Sequence, residues 1–229
     1  MSMFEAERAQ AYDNRMRAAI PGYEALHQLA CGMVAEETGG QGRVLVVGAG
    51  TGAECVALAE ACPGVSVVGA DPAEDMLEMA RHKIEAHGLA ARIHLHPTYV
   101  ADLPRMAPFD AATLLLVMHF LPDDGAKQAL LSDIAARLNP GAPLILADLF
   151  GPAWEDPWQA ELRAFWGHLQ RAAGIPAEDV AKGFTRVDKS IHPVTEARLA
   201  ELCAAAGFEA PKPFFRALCF GGWLLRRRA

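Results

Sequence analysis

Apolar residues in this chain fall into two kinds of run. Short continuous stretches rich in Val, Ile and Leu occur at residues 43–47, 65–70, 111–117 and 143–147, with a weaker one at 91–95. Runs of that length and composition read as strands buried on both faces. Between them, apolar positions recur every three or four residues, the period of one helix face. Leu26, Leu29, Ala30, Met33 and Val34 lie at that spacing ahead of a Gly39-Gly40 break; Met76, Ala80 and Ile84 repeat every four residues up to Gly88; Leu130, Ile134 and Leu138 precede Asn139-Pro140-Gly141. Residues 5–19 form a more polar helical stretch, and 53–62 a helix directly after the first strand.

The alternation of strand and helix predicts an α/β fold with a parallel sheet and helices on both faces. It changes near the end. A helix opens at Thr195 as N-cap, carries Leu199, Leu202, Cys203 and Ala206 on one face, and stops at Gly207. Two strands follow, around 211–218 and 220–227, joined too closely for a parallel crossover, which needs a dozen or more residues; they must pair antiparallel. The expected architecture is a Rossmann-like seven-stranded sheet, five strands parallel and the last two antiparallel. Residues 1–40 are expected as a helical cover and 41–229 as the main domain. A helical insertion at 151–193 carries the stripe Trp154, Trp158, Leu162, Phe165, Trp166 and Leu169, a break at Gly174-Ile175-Pro176, and a short helix over 176–182.

The chemistry gathers where strands end. The first strand stops at Gly48-Ala49-Gly50-Thr51-Gly52 and turns into a helix near Ala53. Glycines there let the main chain turn tightly and approach a ligand, while the helix start points free N–H groups at it. The second strand ends at Asp71, about 20 residues downstream, where a carboxylate can accept from ribose hydroxyls. Asp71-Pro72 also fits a helix cap with proline at the first helical position, and the two readings are compatible. The fourth strand delivers His119 to the carboxyl end of the sheet, the edge where ligands of open α/β sheets bind. An imidazole at that address can serve as a general base or pack beneath a cofactor.

Composition narrows the classes. A net charge of −7 disfavours nucleic acid as a partner, since phosphate binding calls for a basic surface. No apolar run approaches the ~18 residues of a membrane span, and the first residues lack a signal pattern, so a cytoplasmic protein with no membrane partner is expected. The five cysteines are odd in number and lack C-x-x-C spacing, which suits small buried hydrophobes. His94 and His96 share a strand face without a third ligand, so no metal is expected. The Arg226-Arg227-Arg228 run reads as a solvated strand end.

With these motifs in order, Gly48 to Gly52, Asp71, Asp102-Leu103-Pro104, Phe109-Asp110, His119-Phe120-Leu121, Leu138-Asn139-Pro140-Gly141 and Gly207-Phe208, the chain resembles the class I S-adenosylmethionine (SAM)-dependent methyltransferases along nearly its whole length. Within that superfamily it is most similar to the branch of carboxy-S-adenosylmethionine synthase and related methyltransferases, through Asp13, Arg15, Ile20-Pro21-Gly22-Tyr23, Gln128 to Leu131, and Cys219-Phe220-Gly221. The resemblance implies SAM as cofactor and an unidentified small molecule as methyl acceptor. It implies Gly48, Ala49, Gly50 and Gly52 along the methionine part, Asp71 on the ribose, Pro72 and Met76 on the adenine, Tyr99 and Val100 beside it, and Tyr23 leaning in from the cover. Two positions depart from the pattern: Val46 stands where the family commonly carries an acid, and Tyr99 where it commonly carries the adenine-contacting carboxylate.

Three functions follow as expectations: methyl transfer to a small molecule, with His119 as base where the nucleophile arrives protonated; modification of SAM's own methyl group, which needs a cation near the sulfonium; and non-catalytic SAM binding. Residues 151–193 and 12–23 are expected to cover the strand ends. Trp154, Trp158 and Trp166 would wall the substrate pocket, with Arg186 or Lys189 as anchor for an anion. The same stripe could instead be core, or bury itself in a homodimer.

Overall fold

The computed structural model describes residues 3–151 and 156–229, and the side chains from residue 10 onward. Seven strands form one sheet in the order β3-β2-β1-β4-β5-β7-β6. β1 (Gln41–Val47) pairs in parallel with β2 (Gly64–Ala70) on one side and β4 (Ala111–Leu115) on the other; β3 (Ile93–His96) and β5 (Pro143–Leu149) extend the two wings in parallel. β7 (Phe220–Arg226) and β6 (Lys212–Ala217) close the sheet as the expected antiparallel pair. The chain order reverses between β1 and β4, which makes their carboxyl ends the topological switch point and places the ligand crevice there.

Strand side chains alternate between two apolar cores. Leu45, Val47, Ala112, Leu114, Leu144 and Leu146 face α5 (Ala126–Arg137) and α8 (Glu196–Ala205), through Leu131, Ile134, Leu199 and Leu202. Val44, Val46, Val65, Val67, Ala111 and Ile145 face α2 (Tyr23–Thr38), α3 (Ala53–Ala61) and α4 (Glu74–Ala86). Leu26, Ala30 and Val34 of α2 belong to that second core, so α2 is a sheet-covering helix. What remains to act as cover is α1 (Met3–Ala19) and the turn after it.

Several boundaries moved for local reasons. β4 ends at Leu115 because Leu116 takes a left-handed φ of 61°. α5 begins after Gly125, at φ 111°, a few residues later than the apolar period suggests. α7 (Ala177–Ser190) runs a further two turns, because Phe184, Val187 and Ile191 continue the helical spacing onto Trp166 of α6 (Pro157–Ala172). Thr195 does cap α8, accepting from the Arg198 N–H at 3.2 Å. The C-terminal arginines are engaged: Arg226 makes two 2.6 Å bonds to Glu37 at the end of α2, and Arg227 donates to the Leu138 carbonyl.

Candidate active site

The three loop glycines are required for two different reasons. A Cβ on Gly48 would stand 2.3 Å from Val117 Cγ2, and one on Gly52 would stand 2.8 Å from Ala80 Cβ of α4. Those two are glycine because protein packs against them. At Gly50, also at positive φ, a Cβ would meet nothing nearer than 3.9 Å, from Gly48 O and Met76 Cε. The space beside Gly50 belongs to a cavity of about 550 Å³, within the range of small-molecule and cofactor sites. Gly48, Ala49, Gly50, Asp71, Pro72, Met76, Tyr99, Val100, Tyr23 and His119 all line it.

Asp71 is fixed by backbone donors. Its Oδ2 accepts from the Gly50 N–H at 2.8 Å and its Oδ1 from the Ala73 N–H at 2.9 Å. The helix-cap reading is therefore corrected: Ala73 occupies the N-cap of α4 without a side-chain cap, and the Asp71 carboxylate instead clamps the glycine loop to its own turn. Each oxygen keeps a lone pair for a hydroxyl. Beyond β3, Tyr99 stands 64% exposed at the rim while Val100 is buried, opening a single 3₁₀ turn.

On the other side of the switch point, Leu116, Val117, His119, Phe120 and Leu121 form the facing wall. His119 is buried, and its Nδ1 shares a short hydrogen bond with Oδ1 of Asp148, which also accepts from the Leu149 N–H at 2.8 Å. Behind them lies Lys127, wholly buried, donating to the Met118 carbonyl at 2.7 Å. Burial lowers the Lys127 pKa and the charge of Asp148 opposes that. The His192 N–H donates to the His119 carbonyl at 2.7 Å, so the turn is held at both backbone and imidazole.

Tyr12, Met16, Ile20, Tyr23 and His27 close the cavity from the N-terminal side. α1 is latched there by Asp13, whose Oδ1 accepts from Thr51 Oγ1 at 2.6 Å and whose Oδ2 pairs with Lys83 Nζ at 2.5 Å. The insertion does something other than expected. None of Trp158, Trp166, Arg186 or Lys189 lines the cavity. Trp166 is buried against Phe184 and Phe220 in a small core of its own, with its Nε1–H donating to the Ala19 carbonyl, so it braces the end of α1. Trp158 is 58% exposed and Arg186 and Lys189 lie at the surface, while Trp154 falls outside the described residues. The insertion is one layer removed from the cavity because the turn around Ile20, packed on that core, lies between.

Sequence reasoning missed Asp148, Thr113 and Glu54. Asp148 looked like the end of an apolar strand, and only the β4–β5 pairing sets it beside the turn carrying His119. Glu54 sits among apolar helix residues and carried no motif; its one signal was an acid on the buried face of α3.

A glycine loop at the switch point, a clamped carboxylate after β2 and an antiparallel closing pair define a nucleotide-binding transferase of the methyltransferase type. The residues fit SAM: Gly50 leaves a cradle that any side chain would fill, and the buried Glu54 Oε1 has no hydrogen-bond partner among the described residues. A family profile described as a methyltransferase domain matches residues 44–141. A demethylmenaquinone methyltransferase of Deinococcus radiodurans is 31% identical over 78% of this chain and 71% of its own length. A carboxy-S-adenosyl-L-methionine synthase of Klebsiella pneumoniae is 25% identical over 95% and 88%. Among solved structures, 1,6-didemethyltoxoflavin-N1-methyltransferase of Burkholderia thailandensis, bound to 1,6-didemethyltoxoflavin and S-adenosylhomocysteine, superposes with TM-score 0.62 at 20% identity, covering 90% of this chain and 80% of that one. Mitomycin 7-O-methyltransferase gives 0.63 at 20% identity, with 86% of this chain aligned to 52% of that one. The chain belongs to the class I SAM-dependent methyltransferases.

Proposed function

We propose that the protein transfers the methyl group of SAM to a small uncharged molecule whose nucleophile arrives protonated, a hydroxyl or ring N–H, with His119 as general base. The observation that carries this reading is His119 in the wall of the cavity, hydrogen-bonded to Asp148. A carboxylate on Nδ1 fixes the imidazole tautomer and leaves Nε2 as proton acceptor, and it stabilises the imidazolium that forms. SAM, when bound, supplies an electrophilic methyl group on a good leaving group. The chain's own work is to orient and to exclude water, worth on the order of 7–11 kcal/mol where alignment is good. Gly50, Asp71, Met76 and Val100 would hold the cofactor, and Tyr12, Phe120 and Leu121 would offer the acceptor an apolar seat.

The synthase reading draws on the long alignment to carboxy-SAM synthase. Against it stands the lining itself, which among the described residues includes no Lys or Arg to neutralise a carboxylate donor. Incubation with methyl-labelled SAM and panels of phenols, enols and N-heterocycles tests the proposal by the mass of the product. Labelled product from a hydroxyl or N–H acceptor, lost in His119→Gln, supports it. Formation of carboxylated SAM from a carboxylate donor, with no methyl transfer, overturns it.

A further inference from the structure

Glu54 is an acid on a buried helix face. It lies in the first turn of α3, 7% exposed, on a helix face that otherwise buries Cys55, Val56, Leu58 and Ala59. Its Oε1 is fully buried without a hydrogen-bond partner among the described residues; Thr113 Oγ1 of β4, beside Glu54, and His27 Nε2 of α2 are two more such atoms. Among the described residues only Gln159, in the insertion, adds a fourth. Glu54 and His27 both line the cofactor cavity. An unpaired buried carboxyl is costly and persists where a ligand completes it.

Sheet register says which part of the ligand that is. Thr113 is the cross-strand partner of Val46, so both side chains point to the same face, the one covered by α2 and α3. Asp71 lies on the β2 side of the β1 loop, and Glu54, beside Thr113, on the β4 side. A nucleoside held at Asp71 therefore directs its amino-acid tail toward Glu54, Tyr23 and His27.

We infer that Glu54 is the anion that receives the α-ammonium group of the cofactor, a carboxylate delivered from the first turn of α3. The neutral imidazole of His27, its pKa lowered to about 4 by burial, supplies a second acceptor without adding a charge. Burial raises the Glu54 pKa to about 7, the neighbouring Thr113 hydroxyl opposing the shift, so near neutrality the free protein holds Glu54 as a mixture of acid and carboxylate. Other titratable groups facing it are Tyr23 and Cys31 from α2 and Cys55 from its own helix; burial keeps all three neutral. Docking an ammonium group favours the ionised carboxylate, so binding expels a proton.

The inference rests on SAM as cofactor and concerns one end of it, which allows a test without turnover. Calorimetry would compare S-adenosylhomocysteine with 5′-methylthioadenosine, which lacks the amino-acid tail, on the wild type and Glu54→Gln. The expected result is a roughly 10- to 100-fold loss for S-adenosylhomocysteine in the variant, the span of a hydrogen bond to a charged group, with methylthioadenosine unchanged. Titration of the wild type in two buffers of different ionisation enthalpy should show proton release near pH 6.5 with the first ligand alone. Equal losses for both ligands, undiminished S-adenosylhomocysteine affinity, or binding with no proton released by the wild type would overturn it.

Discussion

The imidazole of His119, on the turn after β4, and the carboxylate of Asp148, in the neighbouring strand β5, share a hydrogen bond in a buried setting between Nδ1 and Oδ1. They are 29 residues apart and meet because β4 and β5 pair in parallel, with Leu115 opposite Ala147. If the pair works as a unit, His119→Gln and Asp148→Asn should each lower kcat by roughly 10²–10⁴, the range for a positioned general base. The double variant should cost little more than either alone. Cofactor affinity, measured separately, should stay within a few fold.

Asp71→Ala is expected to weaken SAM binding by about 1.5–3 kcal/mol, the value of hydrogen bonds to a charged acceptor. The same change frees the Gly50 N–H, so amide exchange in the glycine loop should rise in the cofactor-free protein. An unchanged dissociation constant would limit Asp71 to bracing the loop.

Gly50→Val and Gly48→Val should separate binding from folding. The first places its side chain in the cavity, 3.9 Å from the nearest protein atom, and is expected to abolish cofactor binding in a chain that still folds. The left-handed φ of 51° adds strain of about 1 kcal/mol or more. The second collides with Val117 and should unfold at markedly lower temperature. Comparing melting temperature with calorimetric affinity checks both.

Two buried groups set opposite limbs of the stability profile. Glu54 has its pKa raised from 4.5 to about 7, so its contribution is fully present below pH 4.5 and is lost as pH rises through 7. His27 has its pKa lowered from 6.5 to about 4, so its contribution is present above pH 6.5 and is lost as pH falls toward 4. Glu54→Gln should therefore gain roughly 3 kcal/mol relative to wild type between acid and alkaline pH. His27→Gln should flatten the acid limb. Denaturant titrations across that pH range read both effects.

Trp166→Ala removes two edge-to-face ring contacts and the bond to the Ala19 carbonyl. A cost of about 3–5 kcal/mol is expected, as for other buried aromatic truncations. Because the ring braces α1 and not the cavity wall, protease cleavage should increase within residues 1–22. The KM for cofactor should rise more than kcat falls.

Local signals were enough for the sheet and the cofactor loop. Strand and helix periods, the glycine triplet, Asp71 and the short link between the last two strands each reside within a few residues. Together they determine a seven-stranded sheet with an antiparallel end and a ligand crevice at 48–52. What tertiary structure decided depends on pairing between distant segments. The period of the tryptophan stripe announces burial without saying against what, and Trp166 found Ala19, Phe184 and Phe220. Asp148 and Glu54 lie in apolar runs and acquire chemical meaning only from neighbours brought by strand order: His119 from the turn after β4 in one case, Thr113 in register with Val46 in the other. Asp71 fits a helix cap by sequence, yet the folded chain uses its carboxylate on Gly50, because β1 and β2 end side by side. Periodicity specifies which face of an element is buried; only the packing of elements specifies which polar atom is left without a partner, and in this protein such an atom, Glu54 Oε1, opens onto the cofactor cavity.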